Sequence, residues 1–536
     1  MDRGRQERDG GGGGLAKPAT ITQRGWKGLN LIDTRLTIDD DEVAWLENAM
    51  PAGRALASVG IYNGARGAQL YNGTSKVAFS CQLTYGAFTV PHPVTIVVFE
   101  DGAAYMRDHF NDGATDVLIG AAGTFSTSPN RTFISIWRDG PVLFIDDTAG
   151  YSKWDGATFT VIDATKDGHL VAVFEGHAWL KTAARTITYT APNTYDNFTA
   201  ASGAGSFAIT DDVFEGPITG LHSTVEQLWI FGQSAIDALG NVVSTTAGAV
   251  TTTTFSVVNA VSTLGTAWAA SIIGYYRSLT FFTGYSIHSL LGVTPQKLST
   301  KLDRLFASLS TATLGTTFGM SAGVQLLKGH LVLCFLVGFT TPALALRSEL
   351  LCFVEGKWFL ATTPDLSGNS IRHIVTHQIQ SSPAASTTQE LYGVDAGGYI
   401  YRIFARPAIL QPSTAGDAVK GTWTISSKLA DMSAPIEGHQ ALKIGFDFSA
   451  PSATATASIT LTLASEAVSR ALAAVSVPFL TVQDSPLAMR YAIHRVDAPI
   501  IGQRLGWTLS GNCSDFVTLE AAHMQYGITD EWDTVR

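Results

Sequence analysis

The segment from Leu264 to Asp303 constrains the fold more than any other. Two short apolar runs, Ser278–Thr283 and Ser286–Leu291, flank Gly284-Tyr285. β-Branched and aromatic residues around a tight Gly-containing turn predict a β-hairpin. Gly292 and Pro295 then break the pattern, and Leu298-Ser299-Thr300 leads on toward Asp303. No reaction centre is visible in it. It reads as one blade of a propeller ending against its neighbour.

Related units recur along the chain. Leu143–Asp146 with Tyr151–Phe159 is one, and Phe174–Leu180 with Thr186–Thr190 is another. Leu228–Gly232 with Ser234–Leu239, Gly329–Phe335 with Leu351–Phe359, and Glu390–Ile403 complete the set. The shared plan of strand, turn, strand and a Trp or Phe predicts a β-propeller or a stack of similar hairpins. The spacing is loose and the Gly-His and Trp-Asp marks are irregular, so an irregular β-sandwich assembly is the competing architecture. Beyond Pro407–Gly421 the alternation becomes regular, as in Ala441–Phe448 and Ser458–Leu463, and predicts an antiparallel β-sandwich. The expected fold class is all-β: an irregular propeller followed by a sandwich, with an extended N-terminal arm and one short helix. The expected domains are 1–50 for the arm and helix, 51–410 for the propeller, and 411–536 for the sandwich.

Residues 1–20 are polar and contain five consecutive glycines, Gly10–Gly14. Alone, such a segment cannot offset its ordering entropy. Trp26 and Leu29 follow in an apolar stretch, and then Ile38 to Asn48. Asp39 is placed to cap a short helix, with Glu42 three residues on completing a capping-box pair and Trp45 on its apolar side. The Thr- and Ala-rich stretch Val243–Val261 reads as a long exposed loop or β-arm. It and the N-terminal arm are expected to be assembly elements, ordered by a neighbouring subunit.

Charged residues make up only 15 % of the chain, which favours strands and turns over exposed helices and fits a surface buried in an assembly. The net charge of −10 argues against a nucleic-acid-binding face built on bulk positive charge. Cys81, Cys334, Cys352 and Cys513 are too sparse for a disulfide framework and form no CxxC pair, so they read as small apolar core residues. The start lacks an apolar signal core, and the run Leu331–Leu346 is interrupted by Gly338, Thr340, Thr341 and Pro342. No secretory leader and no membrane span are therefore expected.

Chemistry-bearing motifs are scarce. There is no HExxH, Walker loop or GxSxG elbow. On one strand His373 and His377 share a face but lie roughly 13 Å apart at 3.3 Å per residue, too far for one zinc. Asp146-Asp147 and Asp211-Asp212 read as turn residues. Trp154, Trp179, Trp229, Trp268 and Trp358 could line a sugar-binding face, but blade packing is the simpler reading. No cofactor, catalytic residue or metal ligand is expected, and no enzymatic activity.

Three segments together resemble the β-propeller tail and neck proteins of short-tailed bacteriophages, of the nozzle or head-closure type. They are the opening with Gly28-Leu29-Asn30, Asp41-Glu42 and Asn48; the central run with Gly265-Thr266, Phe281-Phe282, Ile287, Gly292, Pro295 and Leu298-Ser299; and the run Gly502-Gln503-Arg504-Leu505-Gly506-Trp507-Thr508-Leu509-Ser510-Gly511. The resemblance implies a virion structural protein, assembled in the host cytoplasm as a homo-oligomeric ring, expected to be a hexamer. Such a ring would connect a portal or adaptor to the distal tail or fibre proteins. It would retain packaged DNA and pass it through its lumen without sequence-specific binding. Trp26, Leu29, Asp39, Glu42 and Trp45 are its expected structural and assembly residues. The alternatives are a propeller carbohydrate-active enzyme and a receptor- or glycan-binding tail module.

Overall fold

The computed structural model describes residues 18–59, 68–109, 116–128, 131–138, 140–307, 320–341, 344–363, 371–380, 387–404, 422–431, 438–450, 456–478, 480–481, 488–495, 500–513 and 517–529. The first seventeen residues of the arm lie outside this set, as does all of the expected boundary near 407–421.

Consecutive strands form antiparallel sheets in which each strand pairs with the next. Blade 1 holds Ser75–Leu83, His92–Phe99, Ala104–Asp108 and Val117–Gly120. Blade 2 holds Thr132–Ile136, Val142–Asp146, Gly150–Trp154 and Phe159–Asp163. Blade 3 holds Leu170–Phe174, His177–Ala183, Thr186–Tyr189 and Gly205–Ala208. Blade 4 holds Gly220–Ser223, Leu228–Phe231, Ile236–Ala247 and Val250–Val261. Blade 5 holds Ile273–Tyr275, Ser278–Phe282, Ile287–Leu291 and Thr294–Lys297, so the predicted hairpin is its centre. Blade 6 holds Ser321–Leu327, His330–Thr341, Leu344–Val354 and Lys357–Thr362. Blade 7 has three described strands, Ile371–Gln380, Thr387–Asp395 and Ile400–Arg402.

Alternating side chains explain why the blade strands read as unbroken apolar runs. In Val142–Asp146, Val142 and Phe144 pack toward blade 1 with Val94, Ile96 and Val98. Leu143 and Ile145 pack toward blade 3 with Val171 and Leu180. In Leu228–Phe231, Leu228 and Ile230 face blade 3, whereas Trp229 and Phe231 face blade 5. A strand buried on both faces needs apolar residues at every position. Of the five tryptophans that could have formed a sugar face, Trp154, Trp179, Trp229 and Trp358 are buried, and Trp268 is half-buried.

The ring closes between blade 7 and blade 1. Val375, Tyr392, Val394 and Ile400 pack on Val97 and Phe99. Ser75 Oγ donates to the Asp395 carbonyl at 2.7 Å, and Arg372 meets Glu100 at 2.7 Å. His377 is buried here, with Nδ1 2.8 Å from Ser80 Oγ and Nε2 2.7 Å from Thr95 Oγ1. Its role is to join the first and last blades.

The sandwich is built from both ends of the chain, which moves the expected domain boundary. Ala19–Arg24 and the hairpin Ala49–Ala52/Ala55–Ser58 pair with Thr518–Thr529, which also pairs with Gly438–Ala450. Residues 51–58 thus belong to the sandwich rather than to the propeller. The facing sheet runs Val43–Glu47, Trp423–Ser427, Leu505–Cys513 and Thr456–Ser465. It is continuous with blade 6 through a parallel pairing of Glu47 with Leu360. Phe446 and Phe448 of one sheet meet Trp507 and Trp423 of the other at 5.3 and 6.4 Å.

The expected helix at Asp39–Asn48 is not formed: Val43–Glu47 is a strand. Half of the capping-box contact is still made, because Glu42 Oε2 accepts the Asp39 amide at 3.1 Å. It closes a turn there, after which Val43, Trp45, Leu46 and Glu47 take up a ladder with Trp423–Ser427. Long-range pairing overrides the local signal. The α-helix among the described residues is the single turn Asp303–Phe306.

Of the two forms expected for Val243–Val261, the structure has the β-arm. It forms most of a long hairpin that leans on blade 3. The Thr251 amide donates to the Ala201 carbonyl at 2.9 Å, and Thr253 Oγ1 to the Gly203 carbonyl at 2.8 Å. Phe255 packs against Trp179, Tyr189 and Phe207. The same chain therefore supplies the support that was expected from another subunit.

Candidate functional site: the central channel and the joint beside it

The first strand of each blade lines a channel on the propeller axis, with a volume of about 1200 Å³. A cavity of this volume, spread along strands of roughly 16 Å at 3.3 Å per residue, has room for a small molecule but not for a nucleic-acid duplex.

The channel wall is mostly apolar, with Val77, Phe133, Val171 and Ile374 on it, but the side where blades 1 to 3 begin carries charge. Lys76 is buried and donates to the Ser126 carbonyl and to Thr132 Oγ1, both at 2.7 Å, with Asp146 at 3.9 Å. Asp146 accepts from Thr132 and from the amides of Ser126, Thr148 and Ala149, so it acts as a turn residue, as its sequence context predicts. Arg131 pairs with Asp147 at 3.3 Å near the opening, where both are partly exposed.

Lys181 and His169 complete this end. Lys181 is buried, and its Nζ donates to His169 Nε2 at 2.7 Å. That bond requires a neutral imidazole. Burial, with the charges of Lys181 and Arg131, pulls the His169 pKa down to about 4, so neutrality is its state near pH 7. Burial, with the Arg131 charge, also lowers Lys181 to about 8. Elsewhere on the wall, desolvation lowers both His222 and His373 to about 4. His373 Nε2 is buried with no hydrogen-bond partner. His373 and His377 thus part company, one on the channel and one in the closure between blades. Among the described residues no group of three or more His, Cys, Asp or Glu converges as a metal site would need.

The five residues singled out from sequence lie together, but away from the channel. They form the joint between the N-terminal segment, blades 5 and 6 and the sandwich. Trp26 is buried and meets Trp507 edge to face. Leu29 is buried, and its amide donates to the Trp358 carbonyl at 2.9 Å. Glu42 is the polar centre: it accepts from Asn30 Nδ2 at 2.6 Å and from Lys301 Nζ at 2.8 Å, besides the Asp39 amide. Burial alone would raise the Glu42 carboxyl, but these three partners together hold it below the usual range. Asp39 itself is exposed, with Lys27 at 3.8 Å. Trp45 is half-buried, and its Nε1 donates to Glu47 Oε2 at 2.9 Å.

Sequence reasoning passed over Lys76, Arg131, His169 and Lys181. No spacing links them: they come from blades 1, 2 and 3 and meet only because each lies at or beside the start of an inner strand.

No known family model matches this sequence, and no curated protein matches it significantly. Solved propeller structures do. The WD40 repeats of RRP9 share 8 % identity over 65 % of this chain and 100 % of theirs, with a TM-score of 0.31. The WD40 domain of SCAP from fission yeast shares 8 % over 84 % and 98 %, with a TM-score of 0.21. BBS1N, from its complex with ARL6DN, shares 9 % over 67 % and 99 %, with a TM-score of 0.37. The blade pairing and ring closure described above define the chain as a β-propeller joined to a β-sandwich. Among the described residues no helix is long and apolar enough to cross a membrane.

Proposed function

We propose that the chain is a structural subunit of a tailed-phage virion. In this reading it belongs to a nozzle or neck ring that links a portal or adaptor to the distal tail and holds packaged DNA until ejection. The observation that carries this is where the three phage-like segments meet. Glu42 of the opening pairs with Lys301, just beyond Leu298-Ser299 of the central run. Trp26 of the opening packs on Trp507 of the third run. Segments far apart in sequence thus share one joint.

The duplex would pass between copies, through the lumen of the ring, since the propeller's own channel is too narrow for it. The contact between copies would use the outer face of the blade 4 hairpin. No Asp, Glu, Lys or Arg occurs from Ala238 to Val261. Val243, Val250 and Val258 are more than half exposed there. Soluble proteins commonly guard long edge strands with charge. For copies that each carry −10, an uncharged face is where mutual repulsion is least. In a ring this face would meet a different face of the next copy, a heterologous contact that closes when the rotation between copies closes.

Negative-stain microscopy of the purified chain tests the reading. Rings are expected, and Val250→Lys with Val258→Lys should leave folded monomers. Deleting residues 1–17, which spares the Ala19–Arg24 pairing, should reduce incorporation into particles without altering the thermal unfolding of the monomer. A wild-type chain that stays monomeric at all concentrations and is absent from particles would sink the proposal. Polysaccharide cleavage by the pure protein would overturn its non-enzymatic character.

A further inference from the structure

The channel holds a buried cation that no carboxylate touches, although the nearby Asp147 charge favours its protonated form. Lys181 Nζ is out of bulk water, and the acceptor it meets is the neutral His169 imidazole. Buried charges are ordinarily paired with an opposite charge, because desolvation is costly. The carboxylates of this region are engaged elsewhere or solvated. Asp146 is held by three amides and Thr132 beside Lys76. Asp147 faces Arg131, and Asp167 is exposed. An ammonium has three donors, and one is used on His169. Lys181, His169 and Arg131 all line the cavity, which leaves room beside them.

We propose that this end of the channel seats the carboxylate or phosphate group of a small ligand, gripped by the Lys181 ammonium with the Arg131 guanidinium beside it. Charge-assisted bonds from a lysine and an arginine are the ordinary means of holding such an oxyanion. His169 fixes the lysine by accepting a hydrogen bond from it, and leaves its other N–H donors for the ligand. The apolar wall of Val77, Phe133 and Val171 suits a ligand with an apolar body, and the width of the channel excludes polymers of duplex size. This inference does not depend on the virion reading; a monomer would bind equally well.

Thermal unfolding in inorganic phosphate, against chloride at equal ionic strength and pH 7, reads the site directly. A ligand that binds the native state raises Tm with its concentration. Phosphate should raise the Tm of the wild type and broaden the phosphate ³¹P line. Lys181→Met should lose both effects and, without phosphate, be no less stable than the wild type. Arg131→Gln, at a half-exposed position, should bind at least about tenfold more weakly, through loss of a charge-assisted partner. Displacement of phosphate by acetate would assign the seat to carboxylates, and failure of acetate to compete would assign it to phosphate groups. The proposal falls if the wild type responds to phosphate as it does to chloride, with water alone meeting Lys181, or if Lys181→Met responds as the wild type does. Should Lys181→Met not fold, the ³¹P line decides: no broadening with the wild type, or equal broadening with Arg131→Gln, overturns the site.

Discussion

Trp26 and Trp507 meet edge to face with ring centroids 6.0 Å apart, fastening the start of the chain to its end. Trp507 Nε1 donates to Gln23 Oε1 at 2.9 Å, so the contact has a polar side as well. Both rings belong to the largest core, which runs from blade 5 through blade 6 into the sandwich.

Truncating either ring should therefore destabilise the sandwich strongly. Trp26→Ala and Trp507→Ala are each expected to cost roughly 3–5 kcal/mol, and the double variant less than the sum because the rings touch. Trp45→Ala, at a half-buried position, should cost only about 1–2 kcal/mol. Urea unfolding followed by tryptophan fluorescence measures all three, and a Trp45 effect as large as that of Trp26 would contradict the burial described.

Gly168 is the point where blade 3 starts against its own second strand. A Cβ there would lie 1.7 Å from the Lys181 carbonyl oxygen, so backbone must shift. Gly168→Ala should cost at least ~1–3 kcal/mol, as overpacking does, and should weaken phosphate binding by moving Lys181. Full stability together with unchanged phosphate response would show that the strand gives way easily.

Acid should destabilise the propeller before it affects the rest. His169, His222 and His373 are each lowered to about 4 by burial, below the ordinary value of 6.5. Between those two values the unfolded chain binds more protons than the folded one, so stability falls as pH falls. The loss should begin near pH 6.5 and level off below about pH 4. Glu42, whose pKa is depressed, adds a loss of the same sign at the acid end of that window. The Tm measured between pH 8 and pH 4 checks this, and His222→Gln should flatten part of the slope. A Tm independent of pH across the window would mean that the three imidazoles are hydrated in the channel.

Cys334 and Cys352 are cross-strand neighbours, fully buried, with sulfurs 3.6 Å apart. Burial pushes the Cys352 thiol well above its ordinary value, so the reactive thiolate is scarce. A thiol-specific dye should modify neither until the protein unfolds, as liquid chromatography and mass spectrometry of the digest would show. Rapid labelling of either in the native state would mean that blade 6 opens readily.

The blades were legible in sequence because each repeats the same local grammar of apolar strand, Gly or Asp turn and aromatic residue. Their count and closure were not, since His377 meets Ser80 and Thr95 only after the ring is complete. The opening misled for a definite reason. Glu42 does bond the Asp39 amide as a capping residue would, but the segment's partner strand begins at Trp423, beyond any local pattern. Lys181 sits in the second strand of an ordinary-looking blade, and His169 just before its first. What distinguishes them is burial out of contact with any carboxylate, which has no sequence signature.

The two-ended construction of the sandwich has a consequence for synthesis. Ala55–Ser58 leaves the ribosome long before its partner Thr518–Thr529 is made. At roughly 5–20 residues per second, the early strands wait about half a minute to a minute and a half for the residues they pair with. The propeller can close during that interval, while the sandwich edge beside it stays unpaired. Each nascent chain therefore carries an open β-edge throughout that interval, and chaperone demand should be highest before Thr518–Thr529 emerges.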